Sequence, residues 1–342
     1  MIASVSVLLP FALTIPEDEQ FPVQEYDDHD CVVRVCPPVK PSQTKLGGED
    51  TNEILLDDVP TFQTDVLRLE FQKPSFRREQ NGAMDPSPEF IGRTINSFLT
   101  RLRTVARAGN VRPLDFPLCN WRLQYLNDDR TELEKTQGLV RGHGGIHVLF
   151  NLLAVKKEGW AEIQGLGAGY EPLPWDELLI EAESDLLRVG PAVVLAATAL
   201  EVFIAQILDK LAACNGVPAE LWGWVTDRGN YELEPTVEEQ YDKLLKFLTG
   251  HSLKEEKELW DSFKNLKTAR NRFVHEGTAK VAGSPVSVPT AQKLVLSAKE
   301  IVSKVREWLP EELQWPVLKV VEVNVKMRAK PGQMVGHFAK FL

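Results

Sequence analysis

Near residue 172 the hydrophobic pattern of this chain changes period, and that change constrains what it can fold into. Before it, short β-rich segments follow one another: SVSVLLPFALTI, CVVRVCPPV, DVLRLEFQK, CNWRLQYL and GIHVLFNLLAV. Strand side chains alternate between two faces, so segments of this kind pair into sheets. The acidic stretch EYDDHD and the Pro-rich stretch PPVKPSQTKLGGED read as connections. One segment interrupts the pattern. EFIGRTINSFLTRLRTVARAG places Phe90, Ile91, Ile95, Phe98, Leu99 and Leu102 at helical spacing, with Gly109 near its stop. Residues 1–170 therefore read as a β-rich α+β domain, a half-open barrel or sandwich with one helix. GLGAGYEPLPWDE, residues 165–177, reads as a linker or hinge.

After the hinge the apolar residues recur at helical spacing. DELLIEAESDLLRV is one helix, with Asp176 as its N-cap. PAVVLAATALEVFIAQILDKLAAC follows, with Pro191 suited to a first turn; it is apolar on most sides and so is the central helix. Residues 215–235 read as a polar and aromatic connection. TVEEQYDKLLKFL and SLKEEKELWDSFKNLKTARNRFVH each begin at capping-box spacing, Thr236 to Glu239 and Ser252 to Glu255. The loop GTAKVAGSPVSVP leads into a last helix, TAQKLVLSAKEIVSKVREWL. Residues 176–310 thus read as a bundle of four to five helices. Residues 316–342 return to strand character in VLKVVEVNVKMR, which is expected to pair with the first domain or with another subunit.

Composition limits the function classes. The net charge of the 342 residues is −10, so the chain is not a general nucleic-acid coat, although a local basic site remains open to it. Its four cysteines, Cys31, Cys36, Cys119 and Cys214, form no CxxC pair and no zinc spacing, and read as buried free thiols in a reducing compartment. MIASVSVLLPFALTIP lacks a basic n-region and an A-x-A-like site, breaks at Pro10 and reads as a first strand. No apolar run reads as a membrane span, and a cytoplasmic location is expected.

The chemistry concentrates in ARNRFVHEG, residues 269–277. On a helix turning 100° per residue, Leu259, Phe263, Leu266, Phe273 and Val274 share one stripe, and Arg270 lies near its middle. A buried guanidinium needs a partner, water or a ligand. Arg270 and His275 are five residues apart, roughly 140° on an ideal helix. They converge only if the helix loosens near His275 or if two copies meet. The bland alternative is that Arg270 reaches the bundle edge or pairs with Glu201, while His275 caps the helix C-terminus.

This R-N-x3-H pattern lies late in a bundle helix, with one further helix after it and Glu201 on the apolar helix ATALEVFIAQIL. It resembles the motif of the HEPN superfamily, over residues 176–310; residues 1–170 resemble no family. The resemblance implies a metal-independent endoribonuclease without cofactor, in which two protomers form a composite cleft and the RNA 2′-hydroxyl attacks the adjacent phosphorus. His275 is then general base or acid, Arg270 holds the phosphate, Asn271 orients the histidine or the phosphate, and Glu201 supports them. Arg272 is a second phosphate contact or an exposed arginine. A homodimer acting on RNA in prokaryotic defence or a toxin system follows, with the first domain binding a protein or ligand trigger or restraining the nuclease. The rival is a non-catalytic HEPN-like module for dimerisation or for nucleotide or protein binding.

Other signals are weaker. His143 and His147 have metal spacing, but Gly142, Gly144 and Gly145 argue against the helix it needs. GLGAGY lacks the helix that a phosphate loop requires. The acidic run YELEPTVEEQYD reads as a solvated helix start. Trp222 and Trp224 read as packing over the bundle end, with base stacking as the alternative. His251 and His337 have no constellation around them.

Overall fold

A 15-residue strand, β1 (Ile2–Pro16), organises the first half of the chain. The computed structural model describes residues 1–40, 53–76, 85–116, 118–133, 152–227, 229, 234–318 and 325–328. The fold is α+β, a β-rich sheet followed by helices. It divides into two compact units, Met1–Glu171 with Leu318–Leu342, and Pro172–Val317.

In the first unit, β1 directs Ala3, Val5, Val7, Leu9, Phe11, Leu13 and Ile15 into the core. Its neighbours are β2 (Gln24–Asp28), β3 (Cys31–Val35), β4 (Glu53–Leu56), β5 (Val59–Gln72), β6 (Trp121–Leu126) and β7 (Leu152–Ala154). β1 pairs antiparallel with β5 and β6, and parallel with β7. The strand does not end at Pro10, but its register with β5 shifts between Leu8 and Leu13, where the proline cannot donate. Helix α1 (Pro88–Ala106) is capped by Ser87 and covers one sheet face with Ile91, Ile95, Phe98, Leu99 and Leu102.

Two expectations do not hold in this unit. EYDDHD is not a connection: it forms most of β2 and the turn into β3, with His29 at φ 60°. The unit has two helices rather than one, because α2 (Lys157–Gly165) closes the core with the fully buried Trp160, whose Nε1 donates to the Pro22 carbonyl at 2.8 Å. Helix α1 ends at Ala106, near Gly109 as its sequence suggests, with Arg107 taking the left-handed conformation as C-cap.

The second unit is helical. α3 (Pro174–Ser184) starts at its proline, so Leu173 is the N-cap and Asp176 sits in the first turn. α4 (Val189–Cys214) reaches membrane-span length and apolarity, contrary to the sequence reading. It is apolar all round because it packs against α3 and against two later helices, Lys257–Glu276 and Val288–Glu307, and its residues from Val193 to Leu211 fill the bundle core. α5 (Ala219–Thr226) replaces part of the expected connection; Trp222 packs on the core and donates to Asp209 at 2.7 Å, while Trp224 is exposed. α6 (Val237–Glu239) carries the Thr236–Glu239 capping box, then a π turn (Gln240–Leu244) leads into α7 (Leu245–Thr249). Ser252 makes no capping box. It caps a 3-10 turn (Leu253–Glu255), and α8 (Lys257–Glu276) follows. The Gly/Pro/Ser loop holds a small hairpin, β8 (Lys280–Val281) and β9 (Ser284–Pro285), and α9 (Val288–Glu307) completes the unit. The chain then returns to the first unit, where β10 (Val325–Arg328) pairs antiparallel with β4 in an 8-stranded sheet.

Candidate functional site

α8 carries the arginine that the sequence singles out. Phe263, Leu266 and Ala269 are buried, and Leu259, Trp260 and Phe273 pack on the same core. Val274 does not belong to this stripe, because it is 55% exposed. Arg270 therefore stands at the border of the apolar face rather than in its middle, with 33% of its side chain exposed.

Two partners hold its guanidinium. Nη1 donates to Asn271 Oδ1 at 3.0 Å, and Nη2 lies 3.7 Å from Glu201 Oε2 on α4. The Nε is buried and has no hydrogen-bond partner among the described residues. An arginine so placed keeps its apolar stem on the bundle and its fork at the rim. One helical turn earlier, Lys267 Nζ pairs with Glu238 at 2.7 Å. A shallow recess lies beside these groups, lined by Ala197, Leu200, Glu201, Val237, Phe263, Leu266 and Lys267. Behind it, the fully buried Tyr241 of the π turn donates its hydroxyl to the Leu200 carbonyl at 2.9 Å. Burial, and then the charge of Glu201, push this phenol well above its ordinary range.

The last turn of α8 is set by two glycines. A Cβ at Gly190 of α4 would meet the Phe273 ring at 2.0 Å, so glycine lets the two helices approach at that point. Gly277, at φ 72°, ends the helix and donates to the Phe273 carbonyl at 2.8 Å. The helix stays regular through Glu276 and does not loosen at His275. Within one chain His275 thus lies about 140° around the axis from Arg270, exposed in the last turn. Arg272 is also exposed and forms an ion pair with Glu276, which pairs as well with Lys280 at 3.2 Å. These two hydrogen-bonded cations hold the Glu276 carboxyl below its ordinary range.

The structure brings Arg270, Asn271 and Glu201 together and leaves His275 and Arg272 apart from them. Asn271 accepts from the arginine, whereas the sequence reading turned it toward the histidine or the phosphate. The Lys267–Glu238 pair and the Gly190–Phe273 contact escaped the sequence reading. The one available signal was a glycine in the first turn of an otherwise apolar helix. His143, His147 and His337 lie outside the described residues; His251 stacks on Trp308 at 5.3 Å. Among the described residues no three His, Cys, Asp or Glu side chains gather as a metal site requires. The four cysteines are free, but only Cys31 and Cys36 are buried; Cys119 is half-buried and Cys214, at the end of α4, is exposed. Compared with family models, curated proteins and solved structures, the chain finds no match.

Proposed function

We propose that the chain is a HEPN-type endoribonuclease that cleaves RNA at a composite site between two copies of α8, in the defence or toxin setting that the resemblance implies. The observation that carries this reading is the placement of Arg270. Its fork stands at the rim of the bundle, fixed from one side by Asn271 and loosely by Glu201, on the same helix as an exposed His275. A regular helix keeps the two residues apart within one protomer, so a shared reaction centre draws Arg270 from one copy and His275 from the other.

The reaction then needs no covalent enzyme intermediate. His275 takes the proton of the RNA 2′-hydroxyl, the 2′-oxygen attacks the adjacent phosphorus, and the bond to the 5′-oxygen breaks. A protonated imidazole returns the proton to that oxygen. The products are a 2′,3′-cyclic phosphate and a 5′-hydroxyl. Arg270 neutralises the charge that develops on the phosphoryl oxygens, and Asn271 holds the plane of the guanidinium.

A second reading is favoured by the same ion pair. Glu201 and Asn271 already account for Arg270 without any substrate, as in a non-catalytic module that dimerises or binds a nucleotide or protein. Purified protein incubated with mixed RNA in the presence of chelator separates the two. Cleavage lost in both Arg270→Ala and His275→Ala supports the nuclease. Mixing the two variants should restore part of the activity, since a heterodimer contains one intact site. Equal cleavage by wild type and both variants, or none by wild type, removes it.

A further inference from the structure

The sheet of the first unit has a second face, turned away from α1 and α2. Strand alternation assigns its residues. Val5 and Val7 of β1, Leu67 and Leu69 of β5, Val33 and Val35 of β3, and Leu123 of β6 all enter the core. The residues between them therefore point the other way. In register across the strands, Arg68, Ser6 and Arg122 form one row. Glu70, Ser4 and Gln124 form the next. Long side chains on the two flanking strands thus stand beside two serines on the strand between them. The result is a furrow along β1 with a hydroxyl floor and a guanidinium on either wall.

The charges of this furrow are unevenly matched. Glu70 is buried and belongs first to Arg130, at 3.2 Å; Arg68 is farther from it, at 3.8 Å. Arg34 is held by Glu25 and Gln72, both at 2.6 Å. The Arg68 Nε is buried without a hydrogen-bond partner among the described residues. Arg122 is exposed and has no ion-pair partner among the described residues. Adjacent strands lie 4.7–4.9 Å apart, so the Cα atoms of Arg68 and Arg122 are separated by about 9.6 Å. Both side chains are long enough to converge above Ser6.

We propose that Arg68, Ser6 and Arg122 form an anion site on this sheet face, beside the buried Ser4 and Glu70, that takes a phosphoryl group. Two planar forks and one hydroxyl match three tetrahedrally arranged oxygens better than they match a flat carboxylate, which one fork already satisfies. In a chain of net charge −10 such a site acts locally, on one phosphate, and not as a basic surface. The phosphoryl group belongs either to a single nucleic-acid strand or to a free phosphomonoester. The inference does not rest on the ribonuclease reading, which concerns the other unit.

The test uses full-length protein and two probes, a fluorescent single-stranded 2′-deoxy oligonucleotide and inorganic phosphate. The deoxy strand lacks the 2′-hydroxyl that the proposed cleavage requires, so binding is read without turnover. Arg122→Glu should weaken binding of the probe by at least tenfold, Ser6→Ala by a smaller factor, and Lys210→Glu, an exposed position on α4, should leave it unchanged. For a strand, log K should fall with log salt at a slope of about −0.7, because both arginines share one phosphate. Arg122→Glu should flatten the slope. Tight oligonucleotide binding with weak phosphate competition identifies a strand; comparable binding of both identifies a free phosphomonoester. Three results would overturn the site: neither probe binds wild type, Arg122→Glu binds like wild type, or Lys210→Glu weakens binding as much as Arg122→Glu does.

Discussion

Two arginines on apolar helix faces show how differently one chain handles the same problem. Arg101, on α1 of the first unit, is 1% exposed; its Nη1 donates to the Ile163 carbonyl at 3.1 Å and its Nε to the Ser97 carbonyl at 3.2 Å. No carboxylate pairs with it among the described residues, and burial lowers its pKa. Arg270, on α8 of the second unit, keeps one third of its side chain exposed and faces a carboxylate and an amide. Arg101 is a bolt, joining α1 to α2 through carbonyls. Arg270 is a fork at a rim. An arginine in an apolar stripe is therefore not by itself a mark of chemistry; exposure and the kind of partner separate the two roles.

The largest expected effect tests the bolt. Arg101→Ala leaves a cavity and an orphaned carbonyl, and should cost about 3 kcal/mol in denaturant unfolding. A loss below about 1 kcal/mol would erase the distinction between the two arginines. Next, Gly190→Ala forces the Phe273 ring aside and should cost about 2 kcal/mol, largely recovered in a Gly190→Ala, Phe273→Leu double variant. Failure of the second change to help would mean that the contact is looser than the geometry implies.

Tyr241→Phe removes one buried hydrogen bond and should cost about 1 kcal/mol at neutral pH. It also has a pH signature. The phenol ionises near its ordinary value of 10.0 when unfolded and stays protonated in the folded bundle. The folded state therefore binds the extra proton above that pH, and its stability falls as pH rises, by up to about 1.4 kcal/mol per unit. In Tyr241→Phe this slope should shrink; an unchanged slope assigns it to other groups. Smallest of all, Arg270→Ala should change stability by less than about 1 kcal/mol, because a part-exposed ion pair is weak, while RNA cleavage disappears. A large loss of stability would make Arg270 a second bolt.

Much of the framework was legible before the coordinates. The helix of Phe90 to Leu102, the central apolar helix, the Thr236–Glu239 box and the strands around Val5, Val33, Leu69 and Leu123 all follow from local period and caps. EYDDHD misled because acidic residues suit loops, yet β2 places Glu25 and Asp27 on an exposed face while Gln24 is buried. The helix of KEGWAEIQG escaped notice because α2 buries only Gly159, Trp160 and Ile163, too few to show a helical stripe. Of the candidate site, the anomaly of Arg270 was visible and its surroundings were not.

By itself, then, the sequence determined where the chain is sheet and where it is bundle, since side-chain period and capping act over a few residues. Only the tertiary structure decided that Arg270 meets Glu201, 69 positions earlier, that His275 stays on another side of an unbroken helix, and that Arg68 and Arg122 flank Ser6. Those juxtapositions depend on helix packing and strand register, which join residues far apart in the chain and leave no mark in the local pattern of either partner.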